Sequence, residues 1–259
     1  MTTPMINILL LGGSSEATAL ARVLADRGWP ATFSYAGRVK ALAPQPLPTR
    51  VGGFGGVDGL VRYLRDHQIT HLIDATHPFA GQISTHAVRA AEQAGVPLLA
   101  FTRPPWTPEA GDHWQTVPDM AAAVAALSGP PERIMLALGR LQLPLFAAQP
   151  QHHYLLRFVE EPTELLPVPD YSLIIDRGPF TEESDRALLE QYRIDRVVSK
   201  NAGGEGARAK LTAARQLGLP VLMIDRPQVP PRAEVHSVEA VLDWLAHESE
   251  RSPEAERGV

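Results

Sequence analysis

Short apolar runs alternate with amphipathic stretches along most of the chain. In the first half the runs Met5–Leu11, Ala31–Tyr35, His71–Asp74 and Val96–Ala100 predict strands. In the second half Arg133–Leu138, Tyr154–Phe158, Ser172–Ile175, Arg196–Ser199 and Val221–Ile224 do the same. Between them apolar residues recur at helical spacing: Ala17, Leu20, Ala21, Leu24; then Val57, Leu60, Val61, Leu64; and near the end Val238, Val241, Leu242, Leu245. That spacing places one apolar stripe on each helix. Short buried strands separated by helices predict βαβ units and parallel sheets.

Proline divides the pattern. Arg103-Pro104-Pro105-Trp106-Thr107-Pro108 cannot form an interior helix or a central strand. The expected organisation is an α/β protein of two Rossmann-like lobes, each on a parallel sheet, with an active-site cleft between them. Residues 1–102 form the cofactor lobe, 103–132 the crossing segment with a helix at Asp119–Leu127, and 133–246 the substrate lobe. The polar tail His247–Val259 is expected to fray.

Composition narrows the chemistry. With no cysteine among 259 residues, disulfides, thiolate nucleophiles and cysteine-held clusters are excluded. No metal site is expected. A net charge of −5 argues against non-specific nucleic-acid binding. No apolar run reaches the roughly 18 residues of a membrane span. Met1-Thr2-Thr3-Pro4-Met5 lacks the basic region of a secretory leader, so the expected location is the cytoplasm.

Ligands of open parallel sheets bind beyond the carboxyl ends of the strands, and unusual residues collect there. Gly12-Gly13-Ser14-Ser15-Glu16 joins a strand to a helix, where unpartnered N–H groups and the helix dipole attract phosphate. The motif is shorter than the full dinucleotide fingerprint, and a tight turn without ligand is its competing reading. After the second strand Ser34 and Arg38 stand where an acid would favour NAD; a serine and an arginine suit the extra phosphate of NADP. Arg50-Val51-Gly52-Gly53-Phe54-Gly55-Gly56 lets backbone approach a ligand or a neighbouring strand. Asp74-Ala75-Thr76-His77-Pro78 puts an acid, a hydroxyl and an imidazole within four residues, and histidine can move a proton near neutral pH. Helix capping by Asp74 or Thr76, with His77 satisfying backbone, is the alternative. In the second half Arg140, Arg177, Lys200, Asn201 and Lys210 lie at or after strand ends. Lys210 shares the buried face of its helix with Ala207, Leu211 and Ala214, so it either enters the cleft or snorkels to solvent. With Arg38 and Arg208 these cations make a basic cleft in an acidic protein, fit for a cofactor phosphate and a polycarboxylate substrate.

The ordered set G-G-S-S-E-A, Y-A-G-R, V-G-G-F-G-G, D-A-T-H-P-F-A, R-P-P-W, L-G-R and S-K-N-A-G-G-E-G resembles the precorrin-6A reductase family of cobalamin biosynthesis. The resemblance runs from Ile6 to about Asp225. It implies a two-lobed, monomeric or weakly associated enzyme. It also implies NADPH as donor and reduction of one ring double bond of precorrin-6A to precorrin-6B, with hydride to carbon 19 and a proton to carbon 18. On that reading Gly12, Gly13, Ser14 and Ser15 cradle the pyrophosphate, Ser34 and Arg38 hold the 2′-phosphate, and Phe54 and Thr76 border the cofactor. His77, with Asp74, serves proton transfer, and Arg140, Arg177, Lys200, Asn201 and Lys210 bind the macrocycle. The alternatives are a cobalt-precorrin-6A reductase, a two-lobed nucleotide-sugar transferase and a non-catalytic nucleotide sensor.

Overall fold

The computed structural model describes residues 6–36 and 44–250. The chain divides into two compact units, residues 1–103 with 228–259, and residues 104–227.

The first unit carries β1 (Ile8–Leu11), α1 (Ser15–Asp26), β2 (Ala31–Tyr35), β3 (Thr49–Val51), α2 (Gly56–Asp66), β4 (His71–Asp74), α3 (Gly81–Ala94) and β5 (Leu98–Phe101). The second carries β6 (His113–Val117), α4 (Met120–Ala125), β7 (Arg133–Ala137), α5 (Leu143–Phe146), β8 (His153–Phe158), β9 (Tyr171–Ile175), α6 (Glu182–Gln191), β10 (Arg196–Lys200), α7 (Ala209–Gln216) and β11 (Pro220–Ile224). Then β12 (Glu234–Val235) and α8 (Val238–Glu250) return to the first unit. Among the described residues no helix is long and apolar enough to cross a membrane.

Each unit has a six-stranded parallel sheet, ordered β3-β2-β1-β4-β5-β12 in the first and β9-β8-β7-β10-β11-β6 in the second. The orders match strand for strand, and both reverse direction about one central strand, β1 or β7. The sixth strand is exchanged. β6 follows β5 in the chain yet pairs with β11, and β12 follows β11 yet pairs with β5. The boundaries therefore depart from the sequence reading: residues 104–132 supply an edge strand and a helix to the second unit, and the chain beyond Gln228 belongs to the first. The helix α8 also continues through His247 to Glu250, within the segment expected to fray.

Side-chain alternation explains the layering. Ile8 and Leu10 face one side of β1, against Ala17, Leu20, Ala21 and Leu24 of α1 and Val241, Leu242 and Leu245 of α8. Leu9 and Leu11 face the other, against Leu60, Val61 and Leu64 of α2 and Ala87, Ala90 and Ala91 of α3. Strands covered on both faces read as continuous apolar runs. In the second unit Met135, Leu155, Val197, Val221 and Met223 pack under Leu189 of α6 and Leu211, Ala213 and Ala214 of α7.

Candidate functional site

The strand order of the first unit reverses between β1 and β4, which is where open α/β sheets take ligands. A cavity of about 470 Å³ opens at these carboxyl ends. Gly12, Ser34, the Gly52–Gly56 loop, Thr76, Phe79 and His86 line it. Four of the expected cofactor residues, Gly12, Ser34, Phe54 and Thr76, are thus brought together. Arg38 lies outside the described residues.

The glycines of the first turn answer two constraints. A Cβ on Gly12 would lie 2.0 Å from the ring of the buried Phe33, and Gly13 has φ +129°, which disfavours other residues. The next two residues organise the helix start. Ser14 caps α1 by accepting from the Ala17 N–H at 3.1 Å, and its own hydroxyl donates to the Ala75 carbonyl at 2.8 Å. One side chain therefore ties the β1 turn to the β4 turn. The Ser15 hydroxyl donates to Glu16 at 3.1 Å. What Ser14 and Ser15 offer a ligand is backbone N–H, since the first turn of a helix leaves such donors without intrahelical partners.

Asp74 closes β4 and is 2% exposed. Its carboxylate accepts from the Thr76 N–H at 3.1 Å and the Thr76 hydroxyl at 2.7 Å, and pairs with Arg232, which the sequence did not single out. The carboxylate is fully engaged in holding the strand-end turn. Asp74 caps no helix, since α3 starts after Ala80 without a side-chain cap; it holds the Thr76 turn, and Arg232 neutralises its charge. His77 is half-buried between two cavity residues, Thr76 and Phe79, without lining the cavity itself. The Phe79 N–H donates to its Nδ1 at 3.1 Å, so in the neutral ring Nε2 carries the proton.

Arg50, a second residue that the sequence reading passed over as a site residue, lies behind the lining. It donates to Ser34 Oγ and the Gly52 carbonyl, both at 2.8 Å, and to the Gly53 carbonyl at 3.2 Å. Its guanidinium sits 3.8 Å from the centre of the Phe54 ring. The available signal was register: Arg50 is aligned with Ser34 on the adjacent strand.

In the second unit the basic residues separate into two kinds. Arg140 and Arg177 follow β7 and β9 and are exposed. Lys200 ends β10, half-buried, and burial lowers its pKa from the usual lysine range. The other two expected contacts face inward. The Asn201 side chain accepts from the Trp106 N–H at 2.7 Å and donates to the Trp106 carbonyl at 3.0 Å. That amide completes the backbone of Trp106 and is consumed by it. Lys210 is 6% exposed; its ammonium donates to the Ala207 carbonyl and lies 5.0 Å from the centre of the Trp106 ring. Burial pushes its pKa down to about 8, with Asp185 opposing and Arg157 adding to the fall. Lys210 thus neither snorkels nor reaches an open surface. Among the described residues no cluster of histidine and acidic side chains could hold a metal ion.

The chain is similar to known proteins over nearly its whole length. A family model described as "Precorrin-6x reductase CbiJ/CobK" matches residues 7–246. A precorrin-6A reductase of Rhodobacter capsulatus is 58% identical over 242 residues, covering 93% of this chain and 96% of that one. A cobalt-precorrin-6A reductase of Priestia megaterium is 29% identical over 255 residues, covering 93% and 99%. A solved structure of CobK precorrin-6A reductase superimposes with a TM-score of 0.88 at 56% identity, covering 98% of this chain and all of that one.

Proposed function

Since the chain belongs to the precorrin-6x reductase family, we propose that it reduces one ring double bond of precorrin-6A to give precorrin-6B in cobalamin biosynthesis, with NADPH as the reductant. The observation that carries this is the 58% identity, over almost the whole of both chains, to a precorrin-6A reductase. The lower identity to a cobalt-precorrin-6A reductase, 29%, favours the metal-free substrate. The protein acts as a cytoplasmic monomer on a small molecule, without nucleic acid or membrane; its net charge of −5 supports the first exclusion.

A dinucleotide fits the cavity at the β1–β4 reversal on the evidence of its lining. Glycine backbone is exposed to it, and among the described residues no carboxylate pairs with the Arg50 guanidinium beside it. Backbone N–H groups of Gly13, Ser14 and Ser15 hold the pyrophosphate, on a turn that Gly12 lets pack against Phe33, and Ser34 meets the 2′-phosphate, with Arg38 as a further cation. Phe54 and Thr76 border the bound cofactor. The reduced nicotinamide, when bound, supplies the hydride. The protein's own task is positioning and proton supply. Holding reacting groups about 3–3.5 Å apart contributes several kcal/mol. His77, its ring held by the Phe79 N–H, is the proton donor of this proposal. Arg140, Arg177 and Lys200 take the carboxylate arms of the macrocycle. Asp74, Asn201 and Lys210 act one step removed, by holding the Thr76 turn and Trp106.

The test is anaerobic turnover of precorrin-6A followed as loss of NADPH absorbance at 340 nm, with cobalt-precorrin-6A in parallel. His77→Ala should lower the single-turnover rate by about 100-fold or more and leave NADPH affinity within twofold. Undiminished turnover in that variant removes His77 as the acid. Absence of turnover with either tetrapyrrole in the wild-type protein removes the reaction itself.

A further inference from the structure

Arg50 carries a charge that its own unit does not answer. The side chain is partly buried, and burial lowers its pKa, with Tyr63 opposing; a guanidinium stays charged regardless. Its neighbours are Ser34, Gly52, Gly53 and Phe54, and all four line the cavity. Among the described residues no carboxylate forms an ion pair with it.

The second unit provides an internal comparison. β8 occupies the place of β2 in the matched strand order. Near its carboxyl end Arg157 also lies against a phenylalanine, 3.6 Å from the centre of the Phe180 ring. There the charge is met by Asp185, a carboxylate only 1% exposed. A guanidinium thus lies on a phenylalanine near the edge of each sheet, Arg50 from the edge strand β3 and Arg157 from β8, one strand in from the edge. One is closed by an internal acid; the other adjoins an open cavity.

Ser34 links Arg50 to that cavity. Its oxygen accepts from Arg50 Nη1 at 2.8 Å, so its own proton points elsewhere. Among the described residues no acceptor takes that proton, although the side chain is 4% exposed and borders the cavity. A buried hydroxyl with an undelivered proton beside an unanswered cation is a pair of groups aimed at an anion.

We propose that Arg50 and Ser34 form a relay that reads the phosphate ester on the ribose of the cofactor. Arg50 fixes the Ser34 oxygen as an acceptor, the Ser34 proton is thereby given to a phosphate oxygen, and the guanidinium charge offsets the dianion. Phe54 keeps the guanidinium in plane. The relay rests on the reading that this cavity takes the dinucleotide, and it adds to that reading the group that makes NADPH preferred over NADH.

The experiment titrates the full-length protein with NADPH and with NADH by isothermal calorimetry. Wild type should hold NADPH more tightly. Arg50→Gln should weaken NADPH about 10- to 100-fold, the range for loss of one charge-assisted contact, and change NADH less than twofold. Ser34→Ala should weaken NADPH about tenfold. The double variant should lose no more than Arg50→Gln alone, since groups acting as one unit are not additive. Arg50→Lys should recover part of the NADPH affinity. Equal loss of both cofactors in Arg50→Gln marks Arg50 as a support for the loop and overturns the relay, as does full additivity in the double variant. A wild type that prefers NADPH, with variants that keep the preference, overturns the relay alone. A wild type that holds both cofactors equally overturns the NADPH reading together with it.

Discussion

Lys210→Met isolates the cost of a buried ammonium. An ordinary lysine titrates at 10.5, whereas Lys210 titrates at about 8 because burial penalises its charge. At about 1.4 kcal/mol per pH unit, the difference corresponds to about 3 kcal/mol. The sign follows from proton counting. Between pH 8 and 10.5 the unfolded lysine keeps its proton while the folded one has released it, so unfolding takes up a proton and rising pH stabilises the fold. Below pH 8 both states are protonated and the full penalty is present. Between pH 7 and pH 10 about 2–3 kcal/mol of it should be relieved. The assay is urea unfolding of wild type and Lys210→Met at several pH values, followed by circular dichroism. Subtracting one protein from the other cancels titrations that they share. The stability of wild type relative to the methionine variant should climb by about 2–3 kcal/mol over that range. A difference that stays flat, or falls, would mean that Lys210 keeps an ordinary affinity for its proton and that its ammonium is not desolvated.

Gly12→Ala should drive a methyl into the Phe33 ring and cost about 1–3 kcal/mol, read as a lowered melting temperature. Arg232→Met leaves the Asp74 carboxylate buried without its cation. The expected loss is about 3–5 kcal/mol; denaturant curves of the two proteins at pH 7 check this. Asn201→Ala strands the N–H and carbonyl of Trp106, at about 1–3 kcal/mol for each group left unpaired. It should alter tryptophan emission while NADPH affinity stays within twofold.

Central strands were legible in the sequence because two-sided burial requires unbroken apolar runs. Each of the nine runs picked from the pattern overlaps a strand. The three that escaped, β3, β6 and β12, are edge strands, where solvent permits His113, Gln115 and Glu234 and the apolar signature dissolves. The exchange of the sixth strands was hidden for the same reason, since it is carried by β6 and β12. Glycine positions and strand ends located the cavity, because backbone geometry leaves a local mark. Partnerships did not. Nothing near Asp74 announces Arg232, 158 residues away, and nothing near Asn201 announces Trp106. Helical spacing put Lys210 on the buried face, but whether that face meets a ligand or a tryptophan depends on a segment about 100 residues upstream.

The traded edge strands also impose an order on synthesis. The unit formed by residues 104–227 is continuous in the chain, whereas its companion needs β12 and α8 to complete its sheet and cover Ile8 and Leu10. A ribosome that has made the first hundred residues has therefore produced a half whose apolar face, partly covered by α1, stays incomplete until the final helix emerges. The middle of the polypeptide can mature before its beginning, and a truncation that removes only the last twenty-five residues should damage the part that was translated first.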